Sequence, residues 1–338
     1  MTMVGRGNVF VRVGRAIAAL VPRRPRGRAA AHPTWVIGHR GAARIAPENT
    51  IESYGRAVQL GADAIEADIC VTKDGHFVVW HDADPGGEIA LARQAGREEL
   101  LCTPDVPTLG SRWRRAVCEL TLAEFRAHYG YTPRRGGLAD LVGTEGPPDI
   151  PTITLLDLFA WADRETRVSH VFLDVKLEAR QTDRAVELLD LVRERVLREN
   201  ARPGLTFHYL SPQREVLQAV ASRAREAPLP PALDIHADFE LPGVLASARA
   251  LGISHISMGV GQRFWNEFRL EVADVVRARE RGRVASVVVW TISEPERLRE
   301  LVRLGVDGIL TDDPEALRGI VNAGPAAAPR GRKAAATV

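Results

Sequence analysis

Five residues whose types and spacing could do chemistry, His39, Arg40, Glu66, Asp68 and His81, fall within one short stretch of this chain, between Trp35 and Asp84. The apolar run Val36-Ile37-Gly38 ends in His39-Arg40-Gly41, so a strand delivers an imidazole and a guanidinium to its C-terminal edge. In Ala64-Ile65-Glu66-Ala67-Asp68-Ile69 the alternation sends Glu66 and Asp68 to one face and the three apolar side chains to the other. Two carboxylates on one face repel. A divalent cation between them relieves the repulsion, and hard oxygen ligands suit Mg²⁺ or Ca²⁺. Thr72-Lys73-Asp74-Gly75 reads as a turn too short for a parallel crossover, so Phe77 to Asp82 must run back antiparallel and return His81 to the same rim.

A third carboxylate and a lysine follow in Val171-Phe172-Leu173-Asp174-Val175-Lys176, whose alternation puts Phe172, Asp174 and Lys176 on one face. Taken alone, that pair would be an ordinary ion pair at a strand end. Beside Glu66 and Asp68 it completes a metal and phosphate site. Arg40 suits an anionic phosphate by its planar fork and Lys176 as a point charge. Phosphodiester cleavage needs one acid and one base near neutral pH, which two imidazoles can supply. The chain carries no GxSxG elbow, Gly-rich nucleotide loop or zinc signature.

The elements that must hold these groups alternate. Parallel strands are predicted at Val36–Gly38, Ala64–Ile69, Val171–Lys176, Leu205–His208, Ala232–His236, His255–Met258, Val284–Trp290 and Gly308–Thr311, with helices between them. Eight strand–helix alternations are the pattern of a (β/α)₈ TIM barrel, whose chemistry sits at the strand C-termini. His39, Glu66, Asp68, Asp174 and Lys176 all fall at such ends. His208 and His236 read as polar rim residues. Residues 83–153 are too long for a connecting loop and read as an inserted subdomain after the second barrel strand. Ile51, Tyr54, Val58 and Leu60 give an apolar stripe to a helix ended by Gly61; Glu48 and Asn49, just before it, could enter the site or only start the helix.

HRG, PENT, GAD-x-IE-x-D, TKDG and VV-x-HD, in that order and spacing, resemble the glycerophosphodiester phosphodiesterase family, and the likeness continues to Asp313. The resemblance implies a metal-dependent hydrolase that releases an alcohol and sn-glycerol 3-phosphate, by attack of a neighbouring hydroxyl or of water. It implies His39 and His81 as the acid–base pair, Glu66, Asp68 and Asp174 as metal ligands, and Arg40 and Lys176 on phosphate. It also places Trp290 beside the substrate, where barrel packing is the other reading, and implies an insertion where 83–153 stands. Gly305 to Asp312 matches the family's last strand and is read as structural. The family usually has Glu at the position of Asp174. Asp-x-Lys here resembles the sphingomyelinase D relatives, which cleave phospholipid head groups. Phe264 and Trp265, read as preceding a helix, could then contact an acyl chain. Two further readings follow, a lysophospholipase D and an inactive barrel kept as a phosphate- or lipid-binding module.

With 45% hydrophobic and 26% charged residues in 338, the chain is an ordinary globular protein with ample core. Residues 1–34 hold seven arginines and no acid, so the net charge of +2 describes a basic arm on a mildly acidic body rather than a nucleic-acid-binding surface. The arm is too short and too charged to span a bilayer; it is expected to be disordered or to lie on an anionic membrane surface. Residues 323–338 read as a disordered Ala/Pro/Arg tail, which leaves 35–322 for the barrel. Three cysteines without a CxxC pair suit a reducing, cytoplasmic compartment.

Overall fold

The structure is a computed structural model that describes residues 34–98, 100–134, 146–197, 202–224, 231–235, 241–260 and 264–324. The basic arm up to residue 33, His236 and the tail beyond Gly324 lie outside the described residues. Strand β1 (Trp35–Gly38) leads through helix α1 (Ile51–Gln59) to β2 (Ala64–Val71), which turns back into β3 (Phe77–Val79). Then come α2 (Glu88–Gln94), β4 (Cys102–Asp105), α3 (Leu122–His128), β5 (Gly130–Pro133) and β6 (Ile150–Pro151). The alternation resumes with α4 (Leu155–Arg164), β7 (His170–Val175), α5 (Thr182–Leu197), β8 (Thr206–Ser211), α6 (Arg214–Ala224) and β9 (Pro231–Ile235). It ends with α7 (Leu241–Leu251), β10 (His255–Gly259), α8 (Trp265–Glu280), β11 (Ser286–Trp290), α9 (Pro295–Leu304), β12 (Gly308–Thr311) and α10 (Pro314–Ala323).

Strands β1, β2, β7, β8, β9, β10, β11 and β12 pair in parallel in that order, and β12 returns to β1 with Trp35 beside Gly308. The sheet therefore closes into a (β/α)₈ barrel. The hairpin strand β3 hangs antiparallel on β2, with Ile69 opposite Val79. Its turn works as the sequence requires. The Thr72 hydroxyl hydrogen-bonds the Asp74 carboxylate at 2.7 Å, and Gly75 takes φ 85°, a left-handed value that suits glycine.

Alternation sorts each strand between two environments. On β2, Ile65, Ala67 and Ile69 join the core beneath the helices. Each large side chain buried this way contributes about 1.5–3 kcal/mol. Inside the barrel, Ile37, Ala64, Phe172, Leu210, Val288 and Leu310 form an apolar plug. Glu66 and Asp68 are nearly fully buried on the inward face of β2, with Asp68 in register with Asp174 on β7.

Residues between the hairpin and α4 build a three-stranded antiparallel sheet, β4-β5-β6, which the sequence did not reveal. It packs its own core, including Phe125, Tyr129 and Tyr131, onto Cys70, Val78 and Trp80 of the barrel hairpin. Trp80 meets Tyr131 with ring centroids 5.1 Å apart and stands edge-on to Phe125 at 5.8 Å. The residue before His81 is thus clamped between barrel and insertion.

The sequence reading ends the fourth barrel strand at His208, but β8 continues to Ser211. Tyr209 packs under the helices and donates its hydroxyl to the Ala185 carbonyl, while Leu210 fills the plug. His208 is therefore a buried interior residue rather than a rim residue. It stacks on Phe172 at 4.2 Å and shares a 2.9 Å hydrogen bond with His170, and His255 lies edge-on to it. Burial pushes His208 well below the ordinary imidazole range, with His170 and His255 adding like-charge opposition. Burial lowers His170 and His255 too.

An unfolded imidazole titrates at ~6.5, so below that pH the unfolded chain binds protons that the folded chain refuses. Stability from this cluster is complete above that value and declines as pH falls through it. Melting curves at pH 7 and pH 5 should show a loss on acidification. The loss should be smaller for His208→Gln by about 2 °C or more, since glutamine keeps a hydrogen bond but cannot charge. An identical loss in both proteins would count against this origin.

Candidate active site

The C-terminal ends of the barrel strands enclose a cavity of about 560 Å³ lined by His39, Arg40, Glu66, His81, Asp174, Lys176, Trp290 and others. Gly38 and Gly41 let the first strand's loop fold tightly over α1. A Cβ on Gly38 would lie 2.6 Å from the Gly41 carbonyl oxygen, and one on Gly41 would strike Ser53. Arg40 (φ 51°) and Asn49 (φ 55°) both adopt left-handed backbone, a strain of about 1–3 kcal/mol each. The Asn49 amide N–H donates to the Arg40 carbonyl at 3.0 Å, so the two strained residues hold each other.

Each strained residue places a donor on a carboxylate. The Arg40 backbone N–H donates to Glu66 Oε2 at 2.9 Å, and the Asn49 side-chain amide donates to Asp68 Oδ2 at 2.9 Å. Thr50 is the residue that caps α1, accepting from the Ser53 N–H. Asn49 and Glu48 are therefore site residues rather than helix starters. Lys176 Nζ lies 2.5 Å from Asp174 Oδ2 and 3.1 Å from Asp68 Oδ1.

Glu66, Asp68 and Asp174 each offer an oxygen to a common group whose ligand atoms lie within 4.8 Å of one another. Glu66 Oε1 and Asp174 Oδ1 are buried and find no hydrogen-bond partner among the described residues. Buried carboxylate oxygens are rarely left so, and two aimed into one cluster fit a cation-binding site. The charges agree. Burial, then the neighbouring charges of Asp68 and Asp174, push the Glu66 carboxyl well above its ordinary range. Burial also opposes ionisation of Asp68, but Lys176, His81 and Arg40 outweigh it and hold that carboxyl below its ordinary range.

Both histidines are oriented alike. His39 Nδ1 lies 2.7 Å from Asp312 Oδ1, and His81 Nδ1 lies 2.6 Å from Asp82 Oδ1. A carboxylate only accepts, so Nδ1 is the donor in each pair and Nε2 is left to exchange protons. Burial opposes the Asp312 charge, yet His39, with Arg40 and Arg44, keeps its carboxyl below the ordinary range. The run ending at Asp312 reads as structural in the sequence, yet the fold turns that residue onto His39. The signal was present, since an aspartate directly follows the strand-end residues His81 and Thr311.

The guanidinium of Arg40 is committed to protein carboxylates, at 2.9 Å from Glu48, 3.1 Å from Asp68 and 3.2 Å from Glu98. Three carboxylates largely offset its charge. Trp290 does line the cavity, and Gly259 makes room for it: a Cβ there would lie 2.5 Å from the indole ring. Phe264 and Trp265 are not brought to the cavity. Phe264 is 78% exposed. Trp265 is the first residue of α8 rather than preceding it; its indole N–H donates to Glu300 at 2.8 Å, and Arg297 lies over its ring. Among the described residues lining the cavity, the sequence also missed Arg44, Glu98 and Ile89. These come from loops and from the insertion, whose side-chain directions no strand alternation specifies.

The chain is similar to proteins of known family. A glycerophosphodiester phosphodiesterase of Caldanaerobacter subterraneus subsp. tengcongensis is 27% identical over 299 residues, covering 86% of this chain and 99% of the relative. A lysophospholipase D of Rattus norvegicus is 24% identical, covering 85% of each chain. A crystal structure of a putative glycerophosphoryl diester phosphodiesterase from Silicibacter pomeroyi is 25% identical and superposes with a TM-score of 0.62, over 87% of this chain and 95% of that one. The model of the glycerophosphoryl diester phosphodiesterase family matches residues 39–316, from the first site histidine to the last helix, and the chain belongs to that family of phosphoric diester hydrolases.

Proposed function

We propose that this cavity hydrolyses glycerophosphodiesters to an alcohol and sn-glycerol 3-phosphate, with His39 and His81 as acid and base beside a divalent cation. The observation that carries the reading is the pairing of two carboxylate-oriented imidazoles with a three-carboxylate cluster in one cavity. One histidine, neutral at Nε2, takes the proton of the attacking hydroxyl, either of water directly or of the substrate's own glycerol, whose attack gives a cyclic phosphate that a water then opens to the monoester. The other, protonated, delivers a proton to the departing alkoxide oxygen. Asp312 and Asp82 hold the rings and favour the imidazolium each must pass through. Glu66, Asp68 and Asp174 would hold the cation, which supplies positive charge to the phosphoryl oxygens when bound. Lys176 adds a second cationic centre that bridges two of those carboxylates. Trp290 forms an apolar wall for the glycerol or the leaving group.

A second reading, cleavage of lysophospholipids, has its own support. Ile89, Leu100, Val260 and Trp290 line the cavity, and Ile89 is 67% exposed. An acyl chain would cover such a surface. Turnover of glycerophosphocholine against lysophosphatidylcholine separates the two; a kcat/KM higher by about tenfold or more for the first is the expected result.

His39→Ala and His81→Ala should each lower kcat by about two to four decades while cation binding, read calorimetrically, is unchanged. Near-normal turnover in either variant would refute the assignment. EDTA should abolish activity, and an inert binding module would show none to abolish. Saturating Mg²⁺ or Ca²⁺ should raise the melting temperature through an added stability of about 2.7 kcal/mol at a hundredfold excess over Kd. Asp174→Asn should erase most of that shift. An equal shift in the variant would place the ion elsewhere.

A further inference from the structure

We propose that Arg93, on the inserted helix α2, is a positioning residue that holds His81 and Arg40 in their working orientations. The proposal rests on the reading of His81 as an acid–base group and extends it to a residue outside the cavity wall. Arg93 has a side chain only 2% exposed, on a short helix in which Ala90 and Gln94 are also buried while Glu88 and Ile89 are open to solvent. Its guanidinium reaches three carboxylates. Nε lies 3.2 Å from Asp82 Oδ2, one terminal nitrogen contacts Glu48 Oε1 and the other contacts Glu98 Oε2.

Two of those carboxylates pass the contact on through their second oxygen. Asp82 Oδ1 holds His81 Nδ1 at 2.6 Å, and Glu48 Oε2 holds Arg40 Nη1 at 2.9 Å. Arg93 is thus one carboxylate away from the imidazole and one away from the arginine that braces Glu66 and Asp68. Only a planar fork with donors on three sides can serve Asp82, Glu48 and Glu98 together; an ammonium offers one point of charge. Burial, with the charges of Glu98, Asp68 and Asp82, pushes the Glu48 carboxyl well above its ordinary range against the pull of Arg40. Removing Arg93 would leave Glu48 and Asp82 buried with one fewer cation each.

Helix α2 does not stand by itself. Seven residues are too few for an independent helix, and its N-cap, Gly87, makes no side-chain cap. Its fixed points are buried polar contacts: Arg93 into the site, and Gln94, which donates to the Pro85 carbonyl and accepts from Arg114. The insertion therefore does more than cover the barrel mouth. Seating α2 places the guanidinium on which the orientation of His81 depends.

The test compares Arg93→Ala, Arg93→Lys and His81→Ala in the full-length protein with glycerophosphocholine. Arg93→Ala should lose about tenfold to a hundredfold in kcat with KM changed by less than about threefold. Free guanidinium at tens of millimolar should restore much of that loss while leaving the wild type unchanged. Arg93→Lys should keep the wild-type melting temperature yet remain impaired in kcat, which also serves if the alanine variant fails to fold. Wild-type kcat in Arg93→Lys and Arg93→Ala, or a loss that tracks only the unfolded fraction without guanidinium rescue, would overturn the proposal. Near-normal turnover of His81→Ala would instead remove the acid–base reading beneath it, so the two failures are distinguishable.

Discussion

An excess of buried negative charge at the mouth of the barrel governs this structure. Glu48, Glu66, Asp68 and Asp82 are buried there, the part-buried Asp174 and the partly exposed Glu98 join them, and Arg40, Arg93 and Lys176 do not balance them. The apolar plug of Ile37, Ala64, Phe172, Leu210, Val288 and Leu310 lies below, so solvent cannot screen the charges from that side. The polar contacts of the site manage this charge. Lys176 spans two carboxylates, Asn49 bonds a third contact onto Asp68, and Arg40 takes a left-handed backbone to give its N–H to Glu66. Glu66 Oε1 and Asp174 Oδ1 are left without a hydrogen-bond partner among the described residues, which is where the proposed cation would bind.

The departure at Asp174 fits within this balance. An aspartate is one methylene shorter than the glutamate usual in the family, and here its second oxygen is taken by Lys176 at 2.5 Å. The lysine thereby draws Asp174 and Asp68 together, so the shorter side chain still reaches the cluster. Asp and Lys on one strand face act as a single bridged unit, because successive inward positions lie on the same side of β7.

The insertion is part of the same economy. Its core clamps Trp80, one residue before His81, and its helix α2 sends Arg93 under Asp82, one residue after it. An imidazole on a hairpin that leaves the barrel sheet would otherwise have support on one side only. The barrel and its hairpin supply most of the carboxylates, and the insertion supplies Glu98 and the counter-charge beside Asp82. His39, by contrast, is oriented wholly within the barrel, by Asp312 at the end of β12.

The barrel, the hairpin and the principal site residues were legible in the sequence because strand alternation has a period of two. Once Ile65, Ala67 and Ile69 are read as facing the helices, Glu66 and Asp68 have only the interior left. The same rule reached Asp174 and Lys176, and the turn at Gly75 sent His81 back to the rim. It did not reach Arg93, Glu98 or Arg44, which stand on a short helix and on loops, where direction is set by packing rather than by period. It also misjudged His208, since the end of β8 depends on what Tyr209 and Leu210 touch. Trp265 likewise turned toward Glu300 because α8 begins at that residue and packs beside α9. Sequence alone determined which residues face inward along each strand, since that is local backbone geometry. Only the closed barrel decided which of them meet, because Asp312 and His39 are brought together by a β12–β1 pairing that no local pattern specifies.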